Sequence, residues 1–450
     1  MARSKKVDAI QVINNEDNSI REVGIYDLTR TAYLEFGSYI NNWRQLPQII
    51  DGLKISYRRL LYSSLQYPQG KLIKSANLLG KLMEIHPHNT DGCYGIICSY
   101  VKTGILRGQG FFGCRSIDGT SSPAAAPRYT ESCVSDKYNK LLGRLIKKVP
   151  YVESPLGTLE PTYIPTALPM SLFCSDSSIS GLGLGISTDL PNFSAKSMYQ
   201  AYIHDDPSLL EPNIDIDLDK GKSDLLGLWN EGRGRVVYKY RWSRIKGPDG
   251  NPGMLIEGDA GIFVPRLKRI KDWQADGKVY IEDMVTQDGA KLAIYKVPNV
   301  KSITIDDIEK EVEKICVNNN TYSLNVSDGG SAFRIPLREW IKATYTNYIN
   351  LVTQDNKEEI EKVKFDIKVY SNIEQVANYI INENPKAENE EIIKATGLEP
   401  EVVNAIMSRT ISNLRKTKDQ TEKVKSLKDK LKELKSFNAV EFTDKVINEL

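Results

Sequence analysis

Residues 123–131 read Pro-Ala-Ala-Ala-Pro-Arg-Tyr-Thr-Glu. A tyrosine directly after an arginine, following alanines too small to block a ligand, suits attack on a phosphodiester. A phenol is a weak nucleophile at neutral pH, so it needs cations to stabilise the phenolate and the transition state. Arg128 supplies one such cation to Tyr129. Upstream, Gly104, Gly108, Gly110, Gly113 and Gly119 punctuate the chain and predict loop or wing rather than helix. Glycines there let backbone amides approach a phosphate closely.

Before this stretch, helical periodicity covers residues 26–40, 56–65 and 71–85. The segment Arg44-Gln-Leu-Pro-Gln-Ile-Ile-Asp51-Gly-Leu-Lys54-Ile-Ser-Tyr-Arg58-Arg59 places a turn at Asp51-Gly52. Lys54 and Arg58, four residues apart, then fall on one face of the following helix, a spacing that suits two backbone phosphates or a solvated basic face. His86-Pro87-His88 holds two of the three histidines. With no third ligand nearby it makes a poor zinc site and fits a hydrogen-bonding role beside a phosphate. Residues 51–150 carry 15 Lys and Arg against 6 Asp and Glu, although the whole chain has a net charge of only +2. A basic block inside a near-neutral protein is the footprint of polyanion binding.

The 450 residues, 40% apolar and 26% charged, predict a soluble protein of two or three domains. No apolar run approaches the roughly 18 residues of a membrane span, and Met-Ala-Arg-Ser-Lys-Lys lacks the apolar core of a secretory signal. The six cysteines form no Cys-x-x-Cys pair and are read as reduced thiols, so the expected setting is cytoplasmic. Gly221-Lys-Ser223 lacks the upstream glycine of a Walker loop, which disfavours nucleotide hydrolysis by this chain.

Residues 196–230, rich in Asp with Pro207 and Pro212, read as a solvated boundary. Asp215-Ile-Asp-Leu-Asp219, Glu257 and Asp259 resemble a magnesium set, but in an order that argues against it, so no metal site is expected here. From Gly234 to Ile305 the alternation is that of strands, with a dense turn signal at residues 247–253. Beyond about residue 335 the chain becomes helical, and residues 401–437 predict a long amphipathic helix or helical pair.

Asp51-Gly-Leu-Lys54…Arg58-Arg59, His86-Pro-His88, Gly108-Gln-Gly-x-Phe-Gly113, Ser116-Ile-Asp-Gly119, Ala124-Ala-Ala-x-Arg-Tyr-Thr-Glu131 and Ser180-Gly-Leu-Gly-Leu-Gly185…Leu190-Pro191 together resemble one family, in its order and spacing. It is the breakage-reunion component of type IIA DNA topoisomerases, represented by the gyrase and topoisomerase IV A subunits. The likeness is sharp over residues 30–195. Because the chain stops before a DNA-wrapping β-pinwheel, it looks most like the medium subunit of a T-even-type phage topoisomerase.

The resemblance implies an α+β fold with an N-terminal arm (1–25) and a winged-helix, CAP-like DNA-cleavage domain (26–195). A β-rich tower (196–335) and a helical coiled-coil dimer gate (336–450) complete it. It implies that Tyr129 forms a 5′-phosphotyrosine and that Arg128 stabilises the reacting phosphate with His88 nearby. Arg44, Lys54, Arg58, Arg59 and His86 would face DNA, Asp51 would hold the basic cluster, and Leu182 would be an apolar wedge between base pairs. The implied partners are double-stranded DNA, a second copy of the chain, and an ATPase/Toprim subunit that binds Mg²⁺ and uses ATP. Departures from the family at Asp91 and Gly95 imply weak quinolone sensitivity. The alternatives are a tyrosine-recombinase or type IB-like strand transferase, which places its tyrosine near the C-terminus, and a non-catalytic DNA-binding scaffold.

Overall fold

The computed structural model describes residues 9–13, 20–87, 90–115, 121–143, 145–154, 157–175, 179–213, 215–247, 250–258, 267–284, 290–408 and 417–449. The chain forms two compact units, one of residues up to Tyr348 with the last residues from Ile447, the other Ile349–Val446.

In the first unit, helix α1 (Ile25–Ile40) ends in a π-helical segment, Asn41–Gln45. The turn at Asp51-Gly52 then launches α2 (Ile55–Leu65), followed by α3 (Ser75–Met83) and α4 (Thr90–Lys102). Leu60, Leu61, Leu78, Leu82, Ile97 and Tyr100 face inward at helical spacing and make the core among these helices. A three-stranded antiparallel sheet lies with them, Ile73–Lys74 and Leu106–Gln109 flanking Glu131–Val134. The glycine-rich stretch is thus partly strand.

A five-stranded antiparallel sheet crosses from this region into the next. Its order is Ile179–Leu182, Ser187–Leu190, Val317–Ser323, Arg233–Lys239, Asp217–Leu218. A four-stranded sheet follows, Arg241–Lys246, Pro252–Gly258, Ala290–Lys296 and Val279–Asp283, in the region where alternation predicts strands.

The acidic run 196–230 is not the solvated linker expected from its composition. Ala195–His204 and Leu225–Glu231 are helices, and Asp217–Leu218 joins the five-stranded sheet. Its carboxylates have local work: Asp206 and Asp224 accept backbone N–H bonds from Ser208 and Gly227 as N-caps, and Asp219 pairs with Lys239 at 2.7 Å.

The second unit is helical. The long helix Leu337–Asn382 enters it, and Thr417–Lys435 runs back antiparallel, tied by Lys430 to Glu359 (2.6 Å) and by Asn356 to the Leu434 carbonyl (3.1 Å). Val369, Ile373 and Val376 pack with Ile392, Val402, Val403 and Ile406 of the short helices Asn389–Thr396 and Pro400–Met407. No helix among the described residues is long and apolar enough to cross a membrane.

Candidate active site

Tyr129 stands at the entry to the central strand Glu131–Val134. Its own N–H donates to the Ala126 carbonyl (2.8 Å), closing a tight turn. The turn is tied on both sides. Ala125 N–H donates to Phe111, while the N-terminal amides of α3, Ser75 and Ala76, donate to the carbonyls of Thr130 (2.9 Å) and Pro127 (3.2 Å). Gly110, at φ +112°, passes so close to Thr130 that a side chain there would press on its backbone.

Beneath the turn is a hydroxyl relay. Thr130 is fully buried, and its Oγ1 donates to Ser75 Oγ at 2.9 Å. Tyr94 of α4 donates to the Ala125 carbonyl at 2.5 Å and lies 3.0 Å from Thr130 Oγ1. Burial raises the Tyr94 pKa, with the Thr130 contact opposing it, so this phenol stays a neutral donor at neutral pH. Tyr129 itself is 64% exposed. The Arg128 guanidinium carbon sits 4.6 Å from its ring centroid, a cation–π contact that holds positive charge beside the phenol. An accessible phenol and an adjacent cation thus rise from a rigid, hydrogen-bonded base.

The basic residues divide into two groups. Asp51 is fully buried and accepts four bonds, from Arg58 Nε (2.7 Å) and Nη2 (2.8 Å) and from the Leu53 and Ile164 amides (2.9 and 3.0 Å). Asp51 does hold a cation in place, but Arg58, only 2% exposed, is enclosed by this pairing. The expectation that Arg58 lines a DNA backbone is therefore corrected: its donors are turned into the protein. Arg59 is likewise turned inward, bidentate to Glu160 (2.7 and 2.6 Å) with Nη1 3.2 Å from His86 Nδ1, and His86 is buried. Arg59 and His86 therefore form an internal joint between α2, the residue before the His-Pro-His proline, and the strand Leu159–Pro161, not a phosphate-facing pair.

Arg44, by contrast, is exposed on the π-helical segment. Lys54 is half-buried, and its ammonium donates to the Ser180 carbonyl at 2.5 Å. Burial pushes its pKa down to about 8, with nearby Asp189 opposing that shift. Leu182 is 80% exposed at the end of the strand Ile179–Leu182, an unusual position for a leucine. His88 lies outside the described residues.

Thr130, Ser75, Tyr94 and Glu160 are the site-supporting residues that sequence reasoning missed. Thr130 had a signal, since it follows Tyr129; Glu160, 101 residues from Arg59, had none.

As for a metal, Asp215 is paired with Arg241 and Asp219 with Lys239. No group of three or more His, Cys, Asp or Glu suited to a metal occurs among the described residues. With their charge already met by cations, these carboxylates do not fit Mg²⁺.

A tyrosine–arginine pair on a buttressed turn, a basic surface and an exposed apolar tip define a candidate DNA-cleaving site. The sequence comparisons agree in class: residues 44–220 match the family model of the DNA gyrase/topoisomerase IV A subunits. Among individual relatives, the chain is 26% identical to the DNA topoisomerase 4 A subunit of Haemophilus influenzae over 96% of its length and 61% of that protein. It is 28% identical to the DNA gyrase A subunit of Helicobacter pylori over 67% of its length and 34% of that protein. With the DNA topoisomerase 4 A subunit of Escherichia coli it shares 29% identity over 50% of its length and 32% of that protein. The chain is thus related to the type IIA topoisomerase A subunits, and it spans a third to three fifths of the length of these relatives.

Proposed function

We propose that this chain is the DNA-cleaving and religating subunit of an ATP-dependent type IIA topoisomerase. The observation that carries the reading is the exposed Tyr129–Arg128 pair on a turn locked by Thr130, Ser75 and Tyr94. The Tyr129 oxygen attacks a backbone phosphorus as its proton leaves. The P–O3′ bond breaks, the 3′-oxygen takes a proton, and the 5′-phosphate remains esterified to the tyrosine. Attack of the freed 3′-hydroxyl on that ester reverses each step, so cleavage and resealing need no nucleotide. Arg128 balances charge on the phosphate in the transition state, and the hydroxyl relay keeps the turn, and hence the phenol, in place.

Double-stranded DNA would follow the exposed cations, Arg44 among them, and Leu182 would enter the base stack. Residues 26–195 support a winged-helix reading through α2–α4 and the small sheet, the four-stranded sheet supports a tower, and the antiparallel helices of the second unit support a dimer gate. Helix α1 exposes Tyr26, Tyr33, Leu34, Phe36 and Tyr39, an apolar face suited to a further chain. We assign that further chain to an ATPase/Toprim partner, whose carboxylates would supply Mg²⁺ and which would use ATP, with a homodimer of this chain at the centre. The distance from the bacterial proteins, at 26–29% identity, supports reading it as closest to the medium subunit of T-even-type phage enzymes, acting in a host cytoplasm.

The test is reconstitution with a candidate partner, Mg²⁺ and supercoiled plasmid, denatured before protease treatment. Linear DNA bound to this chain only when the partner is present supports the proposal. Complete relaxation by the chain alone contradicts it.

A further inference from the structure

The exposed Leu182 is carried on an unusual hairpin. The strands Ile179–Leu182 and Ser187–Leu190 pair in register, and Gly183 N–H donates to the Ile186 carbonyl at 2.9 Å, leaving Leu184 and Gly185 at the tip. Of these two, only Gly185 has positive φ, +76°. That is an unprimed turn, whose twist does not match its strands and tends to splay them. A hairpin with such a turn needs an external brace to hold its end in one place.

The π-helical segment Asn41–Gln45 is that brace. Asn41 Nδ2 donates to the Leu184 carbonyl (3.0 Å), and the Leu184 N–H donates to Asn41 Oδ1 (2.8 Å). The amide thus pairs both backbone groups of the tip residue, as a neighbouring strand would. Gly181 and Gly183, two apart and so on one face of the strand, lie flat against this segment. A Cβ at Gly181 would overlap the Gln45 carbonyl oxygen, and one at Gly183 would overlap Asn41 Oδ1. The Leu184 side chain in turn comes within ordinary contact of Gly37 in α1, 3.5 Å from where its Cβ would be. The adjacent Asn42 is buried and points to another element, donating to Ser38 Oγ and the Gly330 carbonyl (3.1 Å each) and accepting from Ser327 Oγ (2.7 Å). A π-bulge turns successive side chains by less than an α-helix does, and such bulges recur at functional sites. Here two consecutive asparagines anchor the segment to the 327–330 turn and clamp the hairpin.

We propose that Asn41 is a positioning residue for Leu182: its side-chain amide, pairing both backbone groups of Leu184, fixes the hairpin tip so that Leu182 enters the DNA at a set depth. The inference rests on the reading of Leu182 as a wedge. The same π-segment carries exposed Arg44, so phosphate contact and wedge insertion share one rigid element.

The full-length chain bound to a short duplex, labelled at its ends for energy transfer and carrying 2-aminopurine at the central step, reports bend and unstacking. Leu182→Ala tests the wedge. Asn41→Leu removes both bonds, and Asn41→Asp keeps the acceptor for the Leu184 N–H while losing the donor. We expect Leu182→Ala and Asn41→Leu each to reduce the bend and 2-aminopurine signals of the fully bound complex by about half or more, with Asn41→Asp in between. We also expect Asn41→Leu to add nothing in a Leu182→Ala background, because both act through one contact. If Leu182→Ala loses the signals while both Asn41 variants keep them, the positioning role is wrong and the wedge stands. If Leu182→Ala keeps them, the wedge reading itself fails. Should Asn41→Leu not fold, Asn41→Asp decides: full wild-type signals from it overturn the inference.

Discussion

Replacing Asp51 by alanine removes four hydrogen bonds at once and leaves the Arg58 guanidinium and the Leu53 and Ile164 amides facing an apolar space. Both charged side chains are almost fully enclosed, 0% and 3% exposed, so solvent screens the loss little. Breaking one side of such a buried pair costs about 3–5 kcal/mol. At roughly 2 °C per kcal/mol for a unit this large, the first thermal transition should fall by about 6–10 °C. Asp51→Leu combined with Arg58→Met removes both charges and should recover much of that loss. The DNA readout separates a strut from a phosphate contact. Each phosphate contact contributes about 0.9 to the slope of log affinity against log salt. Below its transition temperature, the double variant should bind duplex DNA with the wild-type slope, whereas Arg44→Ala should lower it by about 0.9. A fall of about one in the double variant, with the transition unchanged, would show that Arg58 reaches the DNA and that its enclosure by Asp51 has been misread.

Other perturbations address the remaining parts. Thr130→Val breaks the relay to Ser75 and Tyr94, and the cleavage rate in the reconstituted complex should drop about ten- to hundredfold by misplacing Tyr129; DNA affinity, measured in parallel, should hardly move. Burial holds the Lys54 pKa at about 8, below its unfolded value, so between pH 8 and the ordinary lysine range the unfolded chain binds the extra proton. Stability of wild type relative to Lys54→Met should therefore rise as pH increases through that window, read from paired melting curves, and a falling difference would contradict the assigned environment. Because Asp215 and Asp219 are already matched by Arg241 and Lys239, millimolar Mg²⁺ should leave the melting temperature of the isolated chain unchanged, while chelation should abolish cleavage in the reconstituted complex.

The legible parts of this molecule are local in sequence. Tyr129 and Arg128 are adjacent, so their partnership needs only a turn, and helices such as Ile25–Ile40 and Ile55–Leu65 follow from their own periodicity. Leu182 is exposed, as a wedge must be, but only the family resemblance singles it out, since its own neighbourhood suits a core leucine equally well. The illegible parts depend on distant partners. Arg58 and Lys54 share a four-residue spacing, yet one is folded inward onto Asp51 and the other donates to Ser180. Periodicity assigns a face, but it does not say which cation a buried carboxylate will claim. Arg59 is decided by Glu160, 101 residues away, and Asn41 by Leu184, 143 residues away. The acidic run misleads because composition counts charges without counting the amides they cap: Asp206 and Asp224 begin helices.

A covalent bond between the Tyr129 oxygen and DNA is the step on which the proposed function depends. Its most direct measurement uses duplex DNA labelled separately at each cleaved end, the reconstituted complex with Mg²⁺, and denaturation before electrophoresis. Wild-type chain should become attached through 5′-phosphate ends only, and Tyr129→Phe should form no adduct while binding the same duplex with nearly unchanged affinity. Adducts that persist in Tyr129→Phe, or that carry the 3′ end, would contradict it.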